Sequence, residues 1–275
     1  LRAAVMEANA LAGADTIILP AGIYVLTISD LKKEGAATGD LDIIGDLTIT
    51  GAGPANTIID GGGIDRVFIV LPLSTVHMAG VTVRKGRLTG FEGGGILNTG
   101  TLTLVDSTVS NNTTARSLGG GGIFNRAGTL VLIRTTVANN AGDNGGGILN
   151  FGNLTLINST ISSNTAATDG GGVFNSGALT STNSTISSNT ATNRGGGVAN
   201  AGTAELTNTI IANSTSGGNC VGNITSLGHN LASDNTCGLT GPTDLPNTNP
   251  LVGGLGDHFG PTFTHPLLPG SPAID

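Results

Sequence analysis

From residue 93 onward, hydrophobic and polar positions alternate in short runs that return about every 25 residues. Leu102 and Leu104, Leu130 and Leu132, and Leu154 and Leu156 form one set of alternating pairs. After each pair comes a polar Ser/Thr step, then one apolar residue: Val109, Val137, Ile161, Ile186, Ile211. Ahead of each pair stands a glycine triplet with Ile or Val and an Asn. Gly93-Gly94-Gly95-Ile96-Leu97-Asn98 recurs at 120–125, 145–150, 170–175 and 195–200, at spacings of 27, 25, 25 and 25 residues. A second Asn column, Asn112, Asn140, Asn164 and Asn189, closes the unit.

A 25-residue unit with strands of three to five residues cannot bury its apolar face alone. Stacked on identical units, it can, and the fold class this predicts is all-β, a parallel β-helix with coils about 4.8 Å apart. Period-two alternation puts Leu154 and Leu156 inside and Asn153 and Thr155 outside. The glycine triplet is expected to supply turns with positive φ, and Asn is expected at the coil corners. Two stacked amide ladders follow, one through Asn98, Asn125, Asn150, Asn175 and Asn200, the other through Asn112, Asn140, Asn164 and Asn189. A leucine-rich repeat of the same period needs a helical outer segment. The available one, Asn164-Thr165-Ala166-Ala167-Thr168-Asp169 before a glycine triplet, forms helix poorly.

The flanks divide the chain. Residues 1–14 read as a helical cap with Leu1, Val5, Ala8 and Leu11 on one face, ending at Gly13. Residues 15–240 read as the β-helix, regular from about 93 to 213. Its less regular part carries strands at 16–19, 23–28, 42–44, 47–50, 57–59, 67–70 and 81–83. Seven of the ten Pro fall in residues 241–275, which read as a loop-rich cap over the last coil. About nine to eleven coils follow, a rod of roughly 45 Å.

Composition sharpens this. The chain has 275 residues with 46 Gly, 38 Thr, 26 Asn, no Trp and only 11% charged residues. Glycine without a triplet period excludes collagen, and a hydrophobic fraction of 38% excludes disorder. The net charge of −7 with scattered Lys and Arg argues against nucleic acid and anionic membranes. No apolar run is long enough for a transmembrane segment. Cys220 and Cys237 are placed to close a local disulfide, which would suit an oxidising compartment; two buried thiols are the alternative. A start at Leu1 without Met reads as a processed or excised fragment.

The repeat Gly-Gly-Gly-Ile-x-Asn-x-Gly-x-Leu-x-Leu-x-Asn-Ser-Thr-Ile-Ser-x-Asn resembles those of bacterial surface proteins with a pectin-lyase-like right-handed β-helix. Its glycine element is also similar to polymorphic outer-membrane protein repeats. The start, Leu1 to Val5 through Gly13 to Ile17 and Leu19 to Gly22, resembles the domain named for a Cys-Ser-Leu-Arg-Glu-Ala motif. Here the Cys-Ser is missing and Ala3 stands where that motif has Glu. The end, Leu268 to Asp275, resembles the same family's closing segment. The resemblance covers nearly the whole chain and implies a secreted or cell-surface protein, often adhesive, with no general catalytic set.

Chemistry is sparse along the chain. A hydrolase needs two suitably separated carboxylates, and a calcium-dependent lyase needs converging acids with a base. Between Gly93 and Asn213 the acids are Asp106, Asp143, Asp169 and Glu205. Asp143 and Asp169 read as solvated turns, because Arg194 occupies the matching place one coil on. Asp40, Asp42 and Asp46 form the best acidic group for a weak metal or sugar site, with Asp40 and Asp42 on one strand face. Asp60, Asp65 and Arg66 bracket a Gly-rich turn. Arg84, Lys85 and Arg87 form a small basic cluster that reads as a solvated corner. His77 reads as an exposed strand residue, and His229, His258 and His265 have no metal or triad spacing. Outward Thr101 and Thr103 begin an array of the ice-binding kind, which breaks at Asn153/Thr155, Ala178/Thr180 and Thr203/Glu205. Seven Asn-x-Ser/Thr sequons start at Asn111, Asn112, Asn153, Asn158, Asn183, Asn213 and Asn223.

The expectation is a non-catalytic extracellular β-helix without cofactor or metal, structural or adhesive. A surface glycan or a host or neighbouring protein is its expected partner. The alternatives are a polysaccharide-active lyase or hydrolase and a subunit that associates end to end into filaments.

Overall fold

The computed structural model describes residues 1–29, 35–89, 93–115 and 119–274. It is an all-β parallel β-helix with one short helix, as the repeat predicts. Each regular coil passes through four sheets in the same order. One coil has Ile148–Asn150 in sheet I, Asn153–Ile157 in sheet II, Thr160–Ser162 in sheet III and Thr165–Ala166 in sheet IV. Among the described residues the sheets hold eight, nine, nine and five strands, with successive coils as neighbours. Parallel register stacks like on like: Leu130 on Leu154, Val137 on Ile161, Ile123 on Ile148. These columns fill the buried interior. Fully burying each such side chain stabilises the fold by about 1.5–3 kcal/mol.

The corners correct one expectation. In four of the five repeat triplets only the first glycine has positive φ, at Gly93, Gly145, Gly170 and Gly195, and in 120–122 none has. The second and third are glycine for lack of space. A Cβ on Gly146 would lie 2.4 Å from the Thr165 carbonyl oxygen, and one on Gly147 would lie 2.6 Å from that of Gly172. Between sheets II and III the left-handed corner falls to Asp106, Arg134, Asn158, Asn183 and Asn208 in successive coils. The ladder asparagines themselves have no positive φ; the residues before the second column, Asn111, Asn139, Ser163 and Ser188, do. A corner residue turns the chain, and the next Asn can then point inward.

The N-terminal helix, Arg2–Ala10, stands where sheet I has no strand from the first coil. It buries Val5 and packs Leu1, Ala4 and Ala8 on the core. Leu11 is exposed, against expectation, because it is the C-cap with extended backbone and leaves the helical face. Helix side chains imitate a neighbouring strand for the open edge of Leu41–Ile43. Asn9 Nδ2 donates to the Asp42 carbonyl at 2.7 Å, and Asn9 Oδ1 accepts from Ile44 N–H at 2.9 Å. The Arg2 guanidinium donates to the carbonyls of Ala36, at 2.6 Å, and Gly39. An edge treated in this way cannot recruit another chain.

At the other end Leu245 pairs beside the last strand of sheet III, Leu231–Ala232. The tail therefore covers the last coil, and then it does more. Bridges Val252–Leu267 and Gly256–Thr264 make an antiparallel hairpin. It lies across the outer face of sheet III, where Thr136 Oγ1 donates to the Phe263 carbonyl at 2.6 Å and Thr262 Oγ1 to that of Arg134 at 3.1 Å. Outward residues Thr136, Ala138, Thr160 and Ser162 are consequently buried. The closing residue of the tail, Asp275, lies outside the described residues.

Candidate functional site

The repeated Asn columns of the regular coils are committed to the interior. In the first ladder each Nδ2 donates to the next Oδ1: Asn98 to Asn125 and Asn125 to Asn150 at 2.7 Å, Asn150 to Asn175 at 2.6 Å, Asn175 to Asn200 at 2.7 Å. In the second, Asn112, Asn140 and Asn164 each donate to the following amide at 3.0 Å. Each of these also donates its backbone N–H to that same oxygen. After Asn189 the column continues as Ser214, whose Oγ is buried without a hydrogen-bond partner.

A third ladder escaped the sequence reading. Thr135 N–H donates to Ser159 Oγ at 3.2 Å, and Ser159 N–H to Ser184 Oγ at 3.1 Å. Ser107, Thr135, Ser159, Ser184 and Thr209 are all buried. Their signal was present as the Ser/Thr step two residues before each core Val or Ile.

The structure does not unite Asp40, Asp42 and Asp46. Asp40 is buried against Arg66, 2.6 Å away. Asp42 is half-buried on its strand, and Asp46 Oδ1 accepts from Thr75 N–H at 3.1 Å. Asp65 accepts from the Arg66 N–H. Burial lowers the Arg2 guanidinium below its ordinary value, opposed by the nearby Asp40, Asp42 and Asp65. Elsewhere, acids pair with cations one coil away: Asp60 with Arg84 at 2.8 Å and Lys85 at 3.2 Å, Asp106 with Arg134 at 2.6 Å, Asp169 with Arg194 at 3.0 Å. Burial pushes the Asp60 carboxyl up, but the Gly62 N–H, Arg84 and Lys85 outweigh it and hold the group below the ordinary carboxylate range. Arg84 and Lys85 thus neutralise an acid, while Arg87 is exposed on its own strand. Among the described residues no three His, Cys, Asp or Glu converge as metal ligands.

Cys220 and Cys237 form a disulfide between buried residues. Cys220 opens the last strand of sheet I, and Asp234 and Thr236 accept the N–H groups of Asn219 and Cys220 at that edge. His77 is exposed on sheet II, stacked on Thr103. Of the sequon asparagines Asn112 is buried in its ladder and the other six are exposed.

One groove combines the hairpin with the coils. Its volume is about 270 Å³, between the hairpin loop and the outer face of the second to fourth coils. Pro54, Ile58 and Phe263 give it apolar walls, and Arg84, Ser110 and Asp257 give it polar ones. Such a lining suits a small polar ligand with one apolar face. It suits two-carboxylate hydrolysis poorly, because Asp60, the neighbouring acid, is held ionised by two cations and cannot donate a proton near neutral pH.

No protein-family model, curated protein or solved structure matches the chain. Its class is set by the fold: a parallel β-solenoid stiffened by internal asparagine ladders. Among the described residues no helix is long and apolar enough to cross a membrane.

Proposed function

We propose that the protein is a non-catalytic β-helical module of the bacterial cell surface or secreted space, serving as a rigid spacer or adhesive element. The observation that carries this reading is the pairing of Asp40, Asp60, Asp106 and Asp169 with cations of neighbouring segments. Carboxylates that an enzyme of this architecture would turn toward substrate are here used to join coils. The disulfide favours an oxidising compartment. The likeness of the repeats to pectin-lyase-like and polymorphic outer-membrane protein repeats supports the same location.

The test is a polysaccharide cleavage screen run beside a glycan and cell-surface binding screen on oxidised protein. Binding without cleavage is expected. Chain cleavage that disappears in Asp257→Asn would overturn the reading in favour of the lyase or hydrolase alternative.

Self-association is a second reading, carried by the first coil. Asp15–Leu19 and Gly22–Val25 are terminal strands of sheets II and III, and Ile18, Ile23 and Val25 within them are exposed. Sedimentation across a concentration series tests it; a single monomer species at the highest concentration counts against it.

A further inference from the structure

The hairpin is attached to the solenoid by few apolar groups. Phe263, Leu267 and Leu268 remain 53%, 38% and 42% exposed, so their burial contributes little. Polar anchors hold it instead, and one of them can titrate. His265 Nδ1 lies 2.6 Å from the Gly253 carbonyl on the opposite hairpin strand, and Nε2 lies 2.9 Å from Ser162 Oγ on sheet III. A carbonyl only accepts, so Nδ1 carries the proton and Nε2 accepts from the Ser162 hydroxyl. This neutral tautomer locks the two hairpin strands to each other and to the coil beneath.

Protonation makes both ring nitrogens donors. Ser162 must then turn its hydrogen away, toward Ser163 Oγ at 3.2 Å, and a charge appears on a half-buried ring. Among the described residues the charged groups of the outer face of sheet III beside the hairpin are Arg84 and Asp60, and these are paired with each other. Thr136, Ala138, Thr160, Ser162, Thr185 and Ser187 are the outward residues of these strands. Arg134 at the adjoining corner is already held by Asp106. The hairpin loop carries Asp257 and His258, and the His258 charge opposes that of His265.

We propose that the hairpin is an acid-released strap, with His265 as its latch, which uncovers the outer face of sheet III when the imidazole is protonated. Burial pushes the His265 imidazolium below the ordinary histidine value, and the bond to the Gly253 carbonyl only partly offsets this. A depressed value in the closed state means that the open state binds the proton more readily. Closure is therefore fully favoured above the ordinary histidine value of about 6.5 and weakens as the pH falls from there toward the closed-state value. Strap release is independent of what the protein binds.

Hydrogen exchange at about pH 7.5 and about pH 5, corrected for intrinsic exchange rates, tests the strap across the titration range of histidine. The hairpin amides of Gly253, Gly256, Thr264 and Leu268 should lose protection several-fold at the lower pH while sheet II amides keep theirs. In His265→Gln the hairpin should show no such loss. Unchanged hairpin protection in the native chain overturns the proposal, as does an equal loss in His265→Gln or in sheet II. Should that variant misfold, an NMR titration of the His265 ring in the native chain decides: a midpoint below the ordinary histidine value supports the strap, and one at or above it overturns it.

Discussion

Asn150 Nδ2 donates to Asn175 Oδ1 at 2.6 Å across two coils, while Asn150 Oδ1 accepts from Asn125 at 2.7 Å. Both side chains are wholly buried. The same Asn150 amide reaches the Gly152 and Ala178 carbonyls, so one side chain joins its own corner to the coils on either side. The side chains are closed off from bulk solvent, so each link matters more than its surface equivalent.

Replacing Asn150 by Ala removes the donor to Asn175 Oδ1 and the acceptor of the Gly152 N–H, while Asn125 Nδ2 keeps the Gly128 and Asn153 carbonyls. Each buried group left unpaired costs about 1–3 kcal/mol, so Asn150→Ala should destabilise by at least about 2 kcal/mol. Asn153→Ala, on the exposed face three residues on, should stay within about 0.5 kcal/mol. Urea denaturation of the two variants checks the contrast. Equal midpoints would mean the ladder is decorative.

Gly146→Ala separates space from conformation. Gly146 has no positive φ, yet its added Cβ would lie 2.4 Å from the Thr165 oxygen and 2.6 Å from the Gly171 oxygen. Backbone on both sides cannot yield without spreading the coils, so a loss of about 3 kcal/mol or more is expected. Gly254→Ala meets nothing within 4 Å and should be neutral in thermal melts.

The disulfide closes a short loop, with the cysteines 17 residues apart. Loop-closure entropy assigns a link of this length about 3 kcal/mol. Reduction should lower the denaturation midpoint. In hydrogen exchange it should loosen the last strands, such as Cys220–Val221, before the central coils, as expected of a solenoid with nearest-neighbour coupling. Loss of protection that begins in the central coils would refute that order.

The regular coils were legible because a 25-residue period repeats the same chemistry, and register then fixes partners without further information. Leu130 over Leu154 and Asn125 over Asn150 need only the repeat. The caps were legible in outline but not in mechanism. Asn9 and Arg2 act on carbonyls more than 30 residues away, and nothing local marks an amide that stands in for a strand. The hairpin was hidden for the same reason: Phe263 meets Thr136 across a separation of 127 residues. The acids were misgrouped because Asp40 is committed to Arg66 and Asp46 to Thr75, each about one coil away, just as Asp60 and Arg84 meet only because one coil separates them.

That last pair makes the sharpest electrostatic prediction. Asp60 is buried, its Oδ1 accepts from Gly62 N–H at 2.9 Å, and its Oδ2 faces Arg84 and Lys85. These partners favour the ionised form more than burial disfavours it, so the folded chain holds the carboxyl below its unfolded value. The unfolded state then binds the proton first. The stabilisation is complete above the unfolded carboxylate value of about 3.9 and is lost as the pH falls through the lower folded value. Asp60→Asn should be less stable than the native chain near neutral pH, because it leaves two cations without their partner. The gap between the two should narrow as the pH falls below about 4. Melting temperatures of both proteins across the acid range give the comparison. If the two curves run parallel, the ionised Asp60 does not hold the second and third coils together.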